Sequence, residues 1–151
     1  MKMHIEIFSE KHIPEAAEIE KICFSDPWSE DSLGYLCSSD TACGVAATED
    51  GRLAAYGGIE HVLDTASIIN IAVHPDFRRR GYGRAILSAL ESKACELGAQ
   101  IIFLDVRESN EPAKSLYLSS GYRIAGIRRG YYSHPRENAI VMAKDLSSGS
   151  E

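Results

Sequence analysis

The stretch IINIAVHPDFRRRGYGRAILSAL, residues Ile68 to Leu90, decides how this chain folds. It opens on mostly β-branched residues (Ile68, Ile69, Ile71 and Val73), which suit a buried strand. His74-Pro75-Asp76 ends that strand, because Pro75 has no N–H for the ladder and pushes its predecessor away from helical angles. Further on, Ile86, Leu90, Ala94 and Leu97 recur at helical spacing with Leu87 beside them, and Gly98 supplies a left-handed stop. A second apolar run, Ile101 to Val106, follows. Strand, helix and strand in this arrangement predict a parallel pair with a right-handed crossover.

The turn between strand and helix reads Arg78-Arg79-Arg80-Gly81-Tyr82-Gly83-Arg84. Its glycines carry no Cβ, so the backbone can bend sharply and a ligand can reach its N–H groups. Those groups lead into a helix start, where unpaired donors and the dipole favour an anion, and four arginines add permanent charge. The chemistry fits a phosphate or pyrophosphate. A dinucleotide fingerprint would need a small residue where Ile86 stands, and a triphosphate loop would need Gly-Lys-Ser/Thr. The spacing Arg78-x-x-Gly81-x-Gly83 resembles the acetyl-coenzyme A motif of the GNAT N-acetyltransferases.

A chain of 151 residues, 44% hydrophobic and 25% charged, is long enough for one domain with a real core, expected over 1–146 with a loose tail at 147–151. Its net charge of −6 argues against general nucleic-acid binding and suits a cationic acceptor. Cys23, Cys37, Cys43 and Cys95 form no C-x-x-C pair and no metal-ligand spacing, so reduced, mostly buried thiols and no metal are expected. Met1-Lys2-Met3-His4 starts no signal peptide and no apolar run spans a membrane, so the expectation is a cytoplasmic monomer.

In chain order, Met3–Phe8 reads as a strand. Ser9–Phe24 follows as a helix whose apolar stripe is Ala16, Ala17, Ile19, Ile22 and Cys23. Ser25-Asp26-Pro27-Trp28 breaks it, and Ser29 caps a short helix through Cys37. The Pro-Trp elbow either shapes one wall of a cleft or staples the helices to the core. Strands Ala42–Thr48 and Leu53–His61 join through a Glu49–Arg52 hairpin turn. After Ile101–Val106 come a helix, Glu111–Ser119, and two strands, Tyr122–Arg128 and Ala139–Lys144, separated by a loop containing Gly130–Arg136.

Three residues past the crossover carry candidate chemistry. Asp105 interrupts a strand that otherwise looks buried, so its carboxylate needs a partner, water or a function; a structural pairing with an Arg or a backbone N–H is the plain alternative. Asn110 precedes Glu111-Pro112 and suits an N-cap. Tyr117 returns to nearly the same helix face about 10 Å further along. Its phenol is placed either to protonate a departing thiolate or simply to pack in the core.

The run Asp105-Val-Arg-x-Ser-Asn110-x(6)-Tyr117-x(3)-Gly121-Tyr122 resembles the RimI-type branch of the GNAT superfamily, the ribosomal-protein-alanine N-acetyltransferases. Pro27-Trp28-Ser29-Glu30, Asn70-Ile71-Ala72-Val73 and Arg128-Arg129-x-Tyr131-Tyr132 match as well, so the likeness runs from about Ile5 to Met142. It implies an α/β (α+β) GNAT fold: one central, mixed, mostly antiparallel sheet of six to seven strands, four flanking helices, and a parallel pair splayed at the cofactor site. It implies acetyl-CoA as co-substrate, held by Ile71, Ala72 and Val73, by Arg78, Arg79, Arg80, Gly81, Tyr82, Gly83 and Arg84, and by Asn110. It further implies that the Val73 N–H steadies the oxyanion, that Tyr117 is the general acid, and that Trp28, Tyr131 and Tyr132 line the acceptor side. The branch usually has Glu where this chain has Asp105, one methylene shorter. The base is therefore Asp105, directly or through water, or else Glu60 or His61.

The implied acceptor is the N-terminal peptide of a small-subunit ribosomal protein. An α-amine, with a reference pKa of about 7.7–8.0, is roughly one-tenth neutral at pH 7, whereas a Lys amine near 10.4 needs about 4–5 kcal/mol more to deprotonate. A modest carboxylate acting through water suits the first. Other protein N-termini, a small amine, and a coenzyme-binding sensor without turnover are the competing readings.

Overall fold

The computed structural model describes residues 2–146; the tail expected at 147–151 lies outside them. Asp50 and Gly51, at φ 53° and 80°, give the left-handed pair a tight hairpin demands and join β2 (Ala42–Glu49) to β3 (Arg52–Val62). With β1 (His4–Ile7), β4 (Thr65–Val73), β5 (Ile101–Arg107), β6 (Arg123–Tyr132) and β7 (Glu137–Asp145), they form a seven-stranded sheet in the order β1-β2-β3-β4-β5-β7-β6. Every neighbouring pair is antiparallel except β4–β5, which is parallel.

Two helices cover each face. α1 (Ile13–Cys23) and α2 (Glu30–Ser38) pack with Tyr56, Ala46 and Ala72 on one side. α3 (Tyr82–Glu96) and α4 (Glu111–Ser119) pack with Leu104, Val106 and Ile140 on the other. Gly57 and Gly58 let them close in: a Cβ would lie 2.7 Å from Ile86 Cγ2 at Gly57 and 2.6 Å from Leu36 Cδ2 at Gly58. None of the helices among the described residues is long and apolar enough to cross a membrane.

Several expectations need correction. Ser9–Phe24 is not one helix. Glu10–His12 forms a 3-10 turn held by His12, and α1 begins afresh at Ile13, with Pro14 in its first turn. Ile22 is 54% exposed, and Glu20 takes its place on the buried stripe. Leu97 is 41% exposed because it caps α3 rather than facing the sheet. Cys37 and Cys95 are exposed and Cys23 and Cys43 half-buried, all as free thiols, so the mostly buried set does not hold. β6 runs on to Tyr132: Gly130 at φ 61° donates its N–H to Asn138 Oδ1 at 2.9 Å, and pairing resumes at Tyr132 opposite Glu137. Tyr131 and Tyr132 therefore stand on a strand, not in a loop.

Candidate active site

The parallel pair opens. Thr65, Ala66 and Ser67 pair with Ile101, Ile102 and Phe103, and the register stops there. On β4 the next residues carry a bulge: Gly58 pairs with Asn70 and Ile59 with Ile68, leaving Ile69 extra. Such a bulge bends and twists its strand. It also swaps the faces: Ala66 and Ile68 pack with α3, and after the bulge Ile71 and Val73 do so, while Ile69 and Ala72 pack on the α1 side. His74 donates its N–H to Ala54 of β3 at 2.8 Å. Strand N–H groups alternate, so those of Val73 and Ile71 point the other way, into the gap.

Above the gap sits the basic turn. Gly81 is at φ 85°, a conformation that costs a side-chain-bearing residue about 1–2 kcal/mol, and α3 starts on the next residue. The first N–H groups of this fifteen-residue helix are left facing outward. The four arginines do not act alike. Arg78 donates from Nε to the Val73 carbonyl at 3.3 Å and from its guanidinium to Cys23 Sγ at 3.4 Å. Arg79 sits at φ 65° in the turn and is exposed. Arg80 is turned back to buried Glu49 at 3.1 Å, which also accepts from Tyr82 Oη at 2.5 Å. Burial and that carboxylate push the Tyr82 phenol up to about 12, so its hydroxyl is committed to the core. Arg84 reaches Ser119 and Ser120 at the end of α4.

The two catalytic candidates fall on opposite faces of β5. Leu104 and Val106 belong to the α3–α4 core, so Asp105 between them faces the other way. Its Oδ1 accepts from Arg128 Nε at 3.1 Å, and its side chain is 27% exposed. The pairing with an Arg expected as the plain alternative is therefore present, and the carboxylate still reaches solvent. Tyr117 is buried in the α3–α4 core, its ring 5.9 Å from that of Tyr122. Burial pushes its phenol up to about 12. Asn110 caps α4, accepting from the Ala113 N–H at 3.2 Å. Tyr132 lies close enough to both candidates to feel them: burial first, then the Asp105 charge and more weakly Tyr117, raise its phenol to about 12. Arg107 stacks on its ring at 4.4 Å while bonding Glu137 at 3.1 Å. Tyr131 packs edge-on against it at 5.1 Å.

Trp28 is half-buried against the α1–α2 core, which fits the stapling role. Its N–H donates to Glu20 Oε1 at 2.8 Å. Glu20 is fully buried and also accepts from Tyr56 Oη and Asn70 Nδ2. Burial raises its carboxyl above the usual range, with the Trp28 and Asn70 bonds pulling the other way. The sequence reading missed Glu20, although its spacing from Ala16 and Ala17 places it on their face of α1. The reserve bases stand elsewhere. Glu60 pairs opposite Ser67, six residues short of Val73 and so roughly 20 Å from it along β4. It accepts from Tyr35 Oη at 2.6 Å, and His61 lies one residue further on.

A sheet parted between two parallel strands, with backbone donors on one lip, a basic helix start above and a buried phenol across from a half-exposed carboxylate, is the layout of an acyltransferase. The chain belongs to the acetyltransferase (GNAT) family, which it matches over residues 13–122. It is 39% identical over 145 residues to the [ribosomal protein bS18]-alanine N-acetyltransferase of Salmonella typhimurium, covering 95% of this chain and 97% of that one. The crystal structure of the ribosomal-protein-S18-alanine N-acetyltransferase from Escherichia coli superposes with a TM-score of 0.88 at 36% identity, over 96% and 94% of the two chains. The same fold appears in Arabidopsis thaliana NAA60 in complex with acetyl-CoA, at 14% identity and a TM-score of 0.88, over 97% and 99% of the two chains.

Proposed function

We propose that this enzyme transfers the acetyl group of acetyl-CoA to the α-amine of a protein N-terminus, the N-terminal alanine of ribosomal protein bS18. The carrying observation is the parted β4–β5 edge with the Ile71 and Val73 N–H groups facing into it. The two near-full-length relatives named for that reaction support the acceptor. The residues present suit the co-substrate: the α3 start, Arg79 and the backbone of Gly81–Gly83 offer donors and charge for a pyrophosphate, and Asn110, capping α4 just after β5, is the candidate for the arm. Arg80 and Arg84 contribute through the field they set rather than as free hands, since both are engaged.

The chemistry follows from the two faces. The acceptor amine approaches from the α1–α2 side, between the Trp28 elbow and the Tyr131–Tyr132 strand. The Val73 N–H steadies the oxyanion as the amine adds to the thioester carbonyl. Asp105, or a water it orients, takes the amine proton. Tyr117, on the opposite face and protonated throughout the working pH range, gives its proton to the leaving sulfur. The C–N bond forms first and the C–S bond breaks as the tetrahedral adduct collapses, with no covalent enzyme intermediate and no cysteine required. The proposed enzyme works as a cytoplasmic monomer, without nucleic acid or membrane.

The test is thiol release from acetyl-CoA with the N-terminal hexapeptide of the host bS18. Peptides beginning with Ser or Met and a polyamine run beside it. Selective turnover of the Ala peptide supports the reading. Faster turnover of the polyamine would replace the acceptor.

A further inference from the structure

The mechanism above leaves Glu20 unused, a fully buried carboxylate that joins three segments. It accepts from the backbone of Trp28, from Tyr56 on β3 and from Asn70 on β4, and Asn70 Nδ2 lies 3.1 Å from Tyr56 Oη. All three bonds run into the carboxylate, which as an acceptor with four lone-pair sites satisfies them together. A buried charge is costly unless hydrogen-bonded, so helix stability alone gives no reason for a Glu here where a Leu would pack. What the three donors share is position. Trp28 stands on the acceptor side. Asn70 directly follows the bulged Ile69 and precedes Ile71, whose N–H faces the gap.

We propose that Glu20 is a positioning residue for the acceptor: its carboxylate ties the Trp28 wall to the bulge of β4, fixing where the incoming amine sits relative to the acyl carbonyl. The inference rests on the acyl-transfer reading of the gap. Glu20 touches neither substrate. It acts through the Trp28 backbone on one side and the Asn70 side chain on the other.

Glu20→Gln keeps the volume but sets an amide N–H against at least one of the three donors unless Asn70 turns over. Trp28 is the chain's single tryptophan, so its fluorescence reports this wall with no other emitter. Without any substrate, the variant's emission shifts to the red and acrylamide quenching rises. The KM for the acceptor peptide rises about tenfold, the scale of one buried donor left unpaired, while acetyl-CoA affinity by calorimetry stays within about twofold. Tyr56→Phe removes one hydroxyl from the same cluster and moves both readouts in the same direction by less, and it carries the test if Glu20→Gln does not fold. Unchanged emission with unchanged peptide KM overturns the proposal. So does a lowered Tm with kcat reduced and both KM values intact, which would make Glu20 a structural residue only. Emission and acetyl-CoA binding need no turnover. A wild-type protein that binds acetyl-CoA yet ignores the peptide would sink the acceptor assignment alone, and the KM comparison would then be read on whichever amine it acetylates.

Discussion

On the proposed reading, the coenzyme side of the gap is built mainly of backbone, and the acceptor side of side chains. The first, as proposed, is mostly one local unit, a bulged strand, a glycine turn and a helix start within Ile68–Leu90, joined by Asn110 at the start of α4. What it offers a ligand is N–H groups whose direction is fixed once strand and helix form. The proposed second side would draw on Trp28, Asp105, Tyr131 and Tyr132, residues that contact Glu20, Arg128, Arg107 and Glu137 from distant segments. A backbone site tolerates change in its side chains and fails when its angles change. A side-chain site behaves the opposite way, and substitutions on the two sides should therefore read out differently.

The largest effect is expected at the hinge between them. Tyr117→Phe removes the proposed proton donor and little else, so kcat should fall by about 10²–10⁴-fold with acetyl-CoA affinity nearly unchanged. Burial, which disfavours the phenolate, holds Tyr117 protonated up to about 12. The acid form is therefore present throughout neutral and mildly alkaline pH, and no alkaline limb near pH 10 should come from this group. Equal loss of turnover and coenzyme affinity would assign Tyr117 to packing. Asp105→Asn comes next, with a loss of about 10–100-fold in kcat and acetyl-CoA affinity unchanged. An unchanged kcat would leave Asp105 as the partner of Arg128 and move the base elsewhere.

Gly81→Ala tests the backbone side. A Cβ there meets no atom within 4 Å, so the substitution strains only the φ of 85°. A cost of about 1–2 kcal/mol in that turn should weaken acetyl-CoA by roughly tenfold with kcat at saturation preserved. If affinity holds while kcat falls, the turn acts on the reacting end and the division between the two sides breaks down.

The same division explains what could be read without coordinates. Periodicity and turn chemistry act over neighbouring residues, so the crossover, the Asp50-Gly51 hairpin, the Asn110 cap and the parallel pair all followed from local pattern. Ile22 and Leu97 misled because their helices end within a residue of them, where the buried face gives way to solvent. The extension of β6 to Tyr132 depends on an Asn138 side chain meeting Gly130 across the hairpin. The Glu20 cluster joins residues 8, 36 and 50 positions apart. No period encodes such contacts. An acid on an Ala-Ala stripe was the one local sign. Nor could the sequence tell that Arg80 pairs with Glu49, because that pairing and a ligand contact ask for the same exposed, basic turn.

The smallest expected effect lies at the mouth of the proposed acceptor side. Asp26, between α1 and α2, meets His134 Nδ1 of the β6–β7 turn at 3.1 Å from each carboxylate oxygen, across 108 residues of sequence. The pair joins the α1–α2 connection to the β6–β7 turn, but both side chains are well exposed, at 74% for His134 and 59% for Asp26. An exposed ion pair in high dielectric contributes little, and salt screens it. His134→Ala should therefore shift the peptide KM by less than about fivefold and leave kcat alone, and raised ionic strength should reproduce most of that shift in the wild type. A tenfold or larger rise in KM, insensitive to salt, would mean that the acceptor walls are fixed from the rim inward rather than from the buried Glu20 outward. That result would reverse the order in which the side-chain half of the site is held.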